Sequence, residues 1–298
     1  MTTPIGLIAG AGRFPFQVAR EAKRQGLGVA AVGIRGWADA ALAAQVDAYE
    51  ELAIGELARL IEWLKAHGVR QAVMAGKVTK GVLLDARTPF DPDARRLLQQ
   101  AADASVGTLL GAIGARLARE GITLLDSSTF LRADLCPAGV LTSREPTASE
   151  EEDIAVGMRA AKALAALDIG QTVVVKGRVV VAVEALEGTD AAIRRAHALA
   201  GEGLVVVKTA SPSQDRRFDL PVIGLETVAT LKDAGASCLA VEAGTTLLLA
   251  REALVACADA ARLCIVGVTP PPGGGDGERQ RARGGPPPAR GTPPRGGG

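Results

Sequence analysis

Ile5-Gly6-Leu7-Ile8-Ala9-Gly10-Ala11-Gly12-Arg13-Phe14-Pro15 decides the fold. A short apolar run passes through two glycines into a segment of helical spacing that continues to about Gln25. Strand, glycine turn and helix in that order begin a doubly wound parallel sheet. Gly10 and Gly12 let backbone N–H groups approach a phosphate at the helix N-terminus, which makes both candidate substrate-binding residues. The dinucleotide pattern is broken at its third glycine, where Pro15 stands. The second strand, residues 28–34, runs into Arg35-Gly36 rather than into an acid. An NADP-dependent oxidoreductase that uses Arg35 for the ribose phosphate is therefore an alternative to be tested.

Outward from that stretch, residues 54–67 carry Leu57, Leu60, Ile61 and Leu64 at the spacing of an amphipathic helix. Residues 71–75 form the next strand, followed by Gly76-Lys77-Val78-Thr79-Lys80-Gly81. Ligands of open α/β sheets bind beyond the carboxyl ends of the strands, so Lys77 and Lys80 are phosphate-contact candidates, with solvated lysines as the plainer alternative. Helices at 91–103 and 106–119 and a strand at 122–126 complete a Rossmann-like domain over residues 1–131. Residues 132–148, with Pro137, Gly139 and Pro146, are expected to be a linker. A helix then starts with Ser149 as N-cap and Glu152 three residues on.

Two β-branched runs, 172–175 and 179–183, flank a glycine turn and predict a hairpin. It delivers Glu184 and then Glu187-Gly188-Thr189-Asp190, where Thr189 or Asp190 would cap the next helix. The strand at 204–207 leads into Lys208-Thr209-Ala210-Ser211-Pro212-Ser213-Gln214-Asp215-Arg216-Arg217-Phe218-Asp219-Leu220-Pro221-Val222-Ile223-Gly224. Two prolines there bracket two carboxylates, two guanidinium groups and an amide, with an amine just before them. Carboxylates bind hard cations while Arg and Lys bind phosphate, and a solvated charged turn is the bland alternative. Helices at 225–234 and 251–261 alternate with strands at 238–241 and 263–268, giving a second, mixed α/β domain over 149–268.

Composition narrows the function. The 298 residues are 48% hydrophobic but only 3% aromatic, so the core is mostly aliphatic, which suits an α/β protein and argues against an aromatic-platform binder of single-stranded nucleic acid. The tail, residues 269–298, is Pro/Gly/Arg-rich and is expected to be disordered. It holds five arginines and two acids; removing these from the 34 basic and 33 acidic groups leaves 29 against 31. A near-neutral body offers no electrostatic case for nucleic acid. Four cysteines without a C-x-x-C pair and only two histidines fit a reducing cytoplasm and argue against zinc. No secretory signal or membrane-spanning run is expected.

Several segments together resemble the LpxI-type UDP-2,3-diacylglucosamine pyrophosphatases of bacterial lipid A synthesis. They are Gly6 to Gly12 with Pro15, Ala75-Gly76, residues 167–171, residues 183–190, residues 214–224 and Glu242-Ala243-Gly244. The resemblance covers about residues 4–268 and implies an N-terminal Rossmann-like domain, a distinct C-terminal α/β domain and an acylated ligand between them. It implies hydrolysis of UDP-2,3-diacylglucosamine to lipid X and UMP, assisted by Mg²⁺ or another divalent cation, with water adding at the sugar-side phosphorus. The family's catalytic aspartate falls on Asp219 and its loop arginine on Arg217. On that basis Asp219 binds the metal or orients the water, Asp190 and Asp215 are further metal-ligand candidates, and Arg217 and Lys208 meet phosphates. Lys77, Glu187, Gly188, Thr189 and Gln214 join the substrate contacts. A non-catalytic nucleotide-sugar or lipid carrier is the remaining rival. Peripheral contact with the inner membrane and a homodimer are compatible with this expectation; a nucleic-acid partner is not expected.

Overall fold

The structure, a computed structural model, describes residues 3–78, 88–100, 106–211, 215–218 and 220–269. Strand β1 (Ile5–Ala9) is buried at all five positions and is paired in parallel on both edges, with β2 (Val29–Ile34) and β4 (Gln71–Ala75). Covered strands of a parallel sheet can be apolar throughout, which is why this run does not alternate. Strand β3 (Ala48–Leu52) adds to β2 and β5 (Thr123–Leu124) to β4, giving the all-parallel order β3-β2-β1-β4-β5. Helix α1 (Phe14–Arg24), with Pro15 in its first turn, packs Phe14, Val18, Ala19 and Ala22 on one face. Helices α2 (Leu57–Ala66), α3 (Pro92–Gln100) and α4 (Val106–Arg119) cover the other with Leu60, Leu64, Leu97, Leu109 and Leu117. The expected Rossmann-like sheet is present. Strand β3, Ala-Tyr-Glu-Glu-Leu, was not expected, because an edge strand need not be apolar.

The second sheet is mixed. It begins at β6 (Gly139–Val140), antiparallel to β13 (Cys264–Val268). Strands β13, β11 (Ala236–Glu242) and β9 (Leu204–Lys208) are parallel, and the hairpin β7 (Thr172–Lys176) and β8 (Val179–Val183) is added antiparallel beside β9. Helix α5 (Ala148–Ala166) covers one face with Ile154, Met158 and Ala161. Helices α6 (Thr189–Ala200), α7 (Leu225–Asp233) and α8 (Arg251–Ala260) cover the other.

Two expectations about helix starts are corrected. The N-cap of α5 is Thr147, in a capping box with Glu150, not Ser149 with Glu152. Arg144 decides between the two overlapping boxes, because its guanidinium holds the Glu150 carboxylate through bonds of 2.9 and 2.8 Å. Helix α6 is not capped by Thr189 or Asp190; its N-cap is Gly188 at φ +84°, with no capping side chain. Residues 132–148 also do more than link, since β6 lies within them and Leu141 N–H donates to Ile265 O.

The two sheets are joined by apolar contacts. Strand β10 (Val222–Ile223) pairs in parallel with β12 (Leu247–Leu248). Leu220, Leu247 and Leu249 pack into the cluster of β1 and α1, while Phe218 packs against the opposite face of the first sheet, with Leu109 and Leu124 in the same cluster. Full burial of such a side chain contributes about 1.5–3 kcal/mol. Phe218 and Leu220 therefore lie on opposite faces of the first sheet, near the carboxyl end of β4, where Ser127 Oγ binds both Met74 O and Arg217 O.

Candidate functional site

A cavity of about 1310 Å³ opens between the two sheets. Its inner part is apolar and belongs to the first domain: Val32, Leu52, Leu57, Leu60, Met74, Leu97, Leu109 and Ile113 line it. Its polar part is built at the start of α6 by Glu184, Gly188, Thr189 and Asp190, with Lys208, Asp215 and Lys77. Gly10 and Gly12 also line it.

The glycine turn of β1 and the Gly76 turn of β4 are stitched together. Ala11 N–H donates to Lys77 O and Lys77 N–H to Ala11 O, both at 2.9 Å. A Cβ on Gly10 would lie 2.8 Å from Lys77 O, and one on Gly76 2.7 Å from the Gly10 carbonyl carbon, so both positions require glycine for backbone contact alone. This close approach accounts for Gly10 without a dinucleotide. Arg35, the group an NADP phosphate would need, instead pairs with Glu51 at 3.2 Å.

Lys77 crosses to the second domain. Its Nζ would lie 3.2 Å from a Cβ placed on Gly188. Lys208, only 7% exposed, comes from beneath. Its Nζ donates to Thr189 Oγ1 at 2.8 Å and to Thr172 Oγ1 at 3.3 Å, and Glu184 Oε2 lies 3.9 Å away. Thr189 Oγ1 in turn donates to Glu184 Oε1 at 2.9 Å. Burial pushes the Glu184 carboxyl up, but the Lys208 charge and the two threonine hydroxyls outweigh it and hold it below the usual carboxylate range. Thr189 cannot cap α6 because its hydroxyl is committed here. The first turn of α6, uncapped and flanked by two ammonium groups, is thus a site for an anion.

The carboxylates divide. Asp190 Oδ1 is buried with no hydrogen-bond partner. Glu187 lines the cavity but pairs with Arg195 at 2.6 Å and accepts from Ala185 N–H. Asp215 lines it too, with both oxygens bound by Arg217: Nε to Oδ1 at 2.9 Å and Nη2 to Oδ2 at 2.5 Å. That bond holds the Asp215 carboxyl below its ordinary value. Arg217 is absent from the cavity lining; its guanidinium lies over the Phe218 ring at 4.8 Å and against Gly114 of α4. Asp219, Gln214 and Lys80 lie outside the described residues, as does the chain from residue 270.

Among the described residues no group of three His, Cys, Asp or Glu is placed to hold a metal ion. Asp190, with one unsatisfied buried oxygen, suits a hard cation, and Mg²⁺ commonly takes one or two carboxylates with the remaining positions filled by water and substrate phosphate. Asp215 fits that role poorly while Arg217 occupies it.

Glu184 and Glu242 were placed at strand ends in the sequence but given no role, and Lys162 was not named. Lys162 Nζ binds Glu242 Oε2 at 2.6 Å across 80 residues of chain, a pairing that no local pattern encodes. Among the described residues no helix is long and apolar enough to cross a membrane.

Residues 4–133 match the LpxI N-terminal domain family and residues 137–266 the LpxI C-terminal domain family. The chain is 33% identical over 281 residues to a protein of Caulobacter vibrioides named UDP-2,3-diacylglucosamine pyrophosphatase LpxI, covering 89% of this chain and 98% of that one. Among solved structures, the biotin carboxylase subunit of pyruvate carboxylase aligns at 16% identity with a TM-score of 0.26, over 67% of this chain and 43% of that chain. So loose an alignment says nothing of function.

Proposed function

We propose, for a chain that belongs to the LpxI family, that it hydrolyses the pyrophosphate bond of UDP-2,3-diacylglucosamine to UMP and lipid X in lipid A synthesis. The observation that carries this reading is the composite cavity: an apolar chamber in one domain continuous with an anion site in the other. An acylated sugar joined to a nucleotide through two phosphates has that division. The acyl chains would occupy the chamber between β2, β4 and helices α2 to α4. The diphosphate would meet the first turn of α6, Lys77 and Lys208.

Hydrolysis adds water to phosphorus and breaks the bridging P–O bond, leaving one phosphate on each product. Charge builds on the phosphoryl oxygens, and fixed cations beside them lower the barrier. Lys208 is held in place by Thr172, Thr189 and Glu184, so it needs no rearrangement as that charge develops. Asp219 would orient the water or hold a metal, as its family position implies, and Asp190 would be a second oxygen donor. Mg²⁺, when bound, would neutralise phosphoryl oxygens. Arg217 would act through Asp215, keeping its carboxylate fixed at the cavity wall.

Ile169, Leu186 and Leu225 are exposed and line the same cavity, which supports peripheral contact with the inner membrane face, where a diacylated substrate resides, from the cytoplasmic side. The test is incubation with UDP-2,3-diacylglucosamine, with and without Mg²⁺, followed by product analysis. UMP and lipid X in equal amounts are expected, and loss of both on chelation. Binding without UMP release would make the protein a carrier.

A further inference from the structure

We infer that Glu242 and Lys162 form a positioning pair that fixes the Ala210 peptide, where the chain leaves the second sheet, and thereby sets the turnover number; this rests on the hydrolase reading above. Glu242 ends β11 and is 4% exposed. A single oxygen, Oε2, receives three donors: Lys162 Nζ at 2.6 Å, Ala210 N–H at 2.9 Å and the Thr209 hydroxyl. Lys162 Nζ also donates to Ala210 O at 3.2 Å. The pair therefore grips both the N–H and the C=O of Ala210, the point where the chain leaves β9. Neither residue lines the cavity, so neither touches substrate.

Arg216 and Arg217 are gripped by the other domain. Ser127 N–H donates to Arg216 O at 2.9 Å, Ser127 Oγ lies 2.9 Å from Arg217 O, and Arg216 Nε lies 3.0 Å from Asp126 Oδ2. The chain is thus held to one domain at Ala210 and to the other at Arg216. Buried charge is costly unless fully paired, and an ordinary strand end needs none. Three donors on one buried oxygen are well suited to holding a peptide in one orientation. Burial pushes the Glu242 carboxyl up, but Lys162, the Thr209 hydroxyl and the Ala210 amide outweigh it, so the ion pair persists at neutral pH.

The experiment compares Lys162→Met, Lys162→Arg and Glu242→Gln with the wild-type chain on UDP-2,3-diacylglucosamine. It records kcat, KM and hydrogen exchange of the peptide spanning 204–220. Lys162→Met is expected to lower kcat about 10- to 100-fold with KM within about threefold, to speed exchange at Ala210, and to be largely rescued in Lys162→Arg. Lys162→Met strips the buried Glu242 of its counter-charge, so the double variant Lys162→Met/Glu242→Gln, which removes both charges, carries the same kcat test should the single variant not fold. Folded Lys162→Met with wild-type kcat, or a loss of kcat that Lys162→Arg shares in full, overturns the inference. A wild-type chain that releases no UMP would instead sink the hydrolase reading, which the same assay shows first.

Discussion

The first domain encloses space and contributes Lys77, while the second supplies most of the charge around the anion site. Around β1, β2 and β4 the cavity wall is aliphatic, and the charged groups of that domain pair on the outside, as Lys65 does with Glu120 and Arg59 with Glu50. In the second domain the charges are drawn inward: Lys208, Glu184, Glu242 and Glu150 each lie buried or nearly so and each is paired. A regular parallel sheet can host a chamber because only packing is asked of it. A sheet carrying an antiparallel hairpin leaves β8 and β9 running the same way on either side of β7, and their carboxyl ends place Glu184 and Lys208 together. The division predicts that changes in the second domain act on chemistry, and changes in the first on which ligand fits.

The sharpest break would come from Asp219→Ala. Turnover should fall by about 10³-fold or more while the melting temperature stays within a few degrees, checked by UMP release and calorimetry. Near-normal activity would remove Asp219 from the mechanism. Lys208→Met comes next, with kcat/KM expected to fall about 10²- to 10³-fold, because the substitution keeps the buried stem and removes the cation. Lys208→Met retaining full rate would mean that the anion is held elsewhere.

Acid stability separates the same two regions by a smaller margin. Glu150 has its pKa lowered from 4.5 to about 2: burial raises it, but Arg144 and the Thr147 amide more than reverse that. Glu120 is lowered to a similar value by Lys65 and Arg116, but at the surface. A depressed carboxylate stabilises the folded state above its unfolded pKa, and that contribution is lost as pH falls from about 4.5 toward about 2. Glu150→Gln should therefore cost about 3 kcal/mol at pH 7 and flatten the acid limb of the stability curve. Glu120→Gln should leave a denaturant midpoint measured in 0.5 M salt unchanged, since exposed pairs are screened.

Much of the fold is legible where one signal dominates. The helix expected at 106–119 is α4 with the same bounds, and the β-branched runs around Gly177 are the hairpin. Strand β3 escaped because an edge strand with two glutamates carries no apolar alternation. The start of α5 was misplaced because Thr147 and Ser149 both have a glutamate three residues on, and Arg144 chooses between them through space. At the site, Lys77 was named from its place at a strand end and Gly188, Thr189 and Lys208 with the help of the family resemblance, and the structure brings all four to one mouth. Glu184 and Glu242 were missed as functional groups, because their meaning lies in partners contributed by other strands.

The union of chamber and anion site is tested most directly by comparing kcat/KM for UDP-2,3-diacylglucosamine with that for UDP-glucosamine, which keeps the diphosphate and lacks the acyl chains. A drop of about 10³-fold or more is expected, because binding along the chains orients the phosphorus for attack. Equal values for the two substrates would contradict the account, since the apolar chamber would then contribute nothing to the reaction.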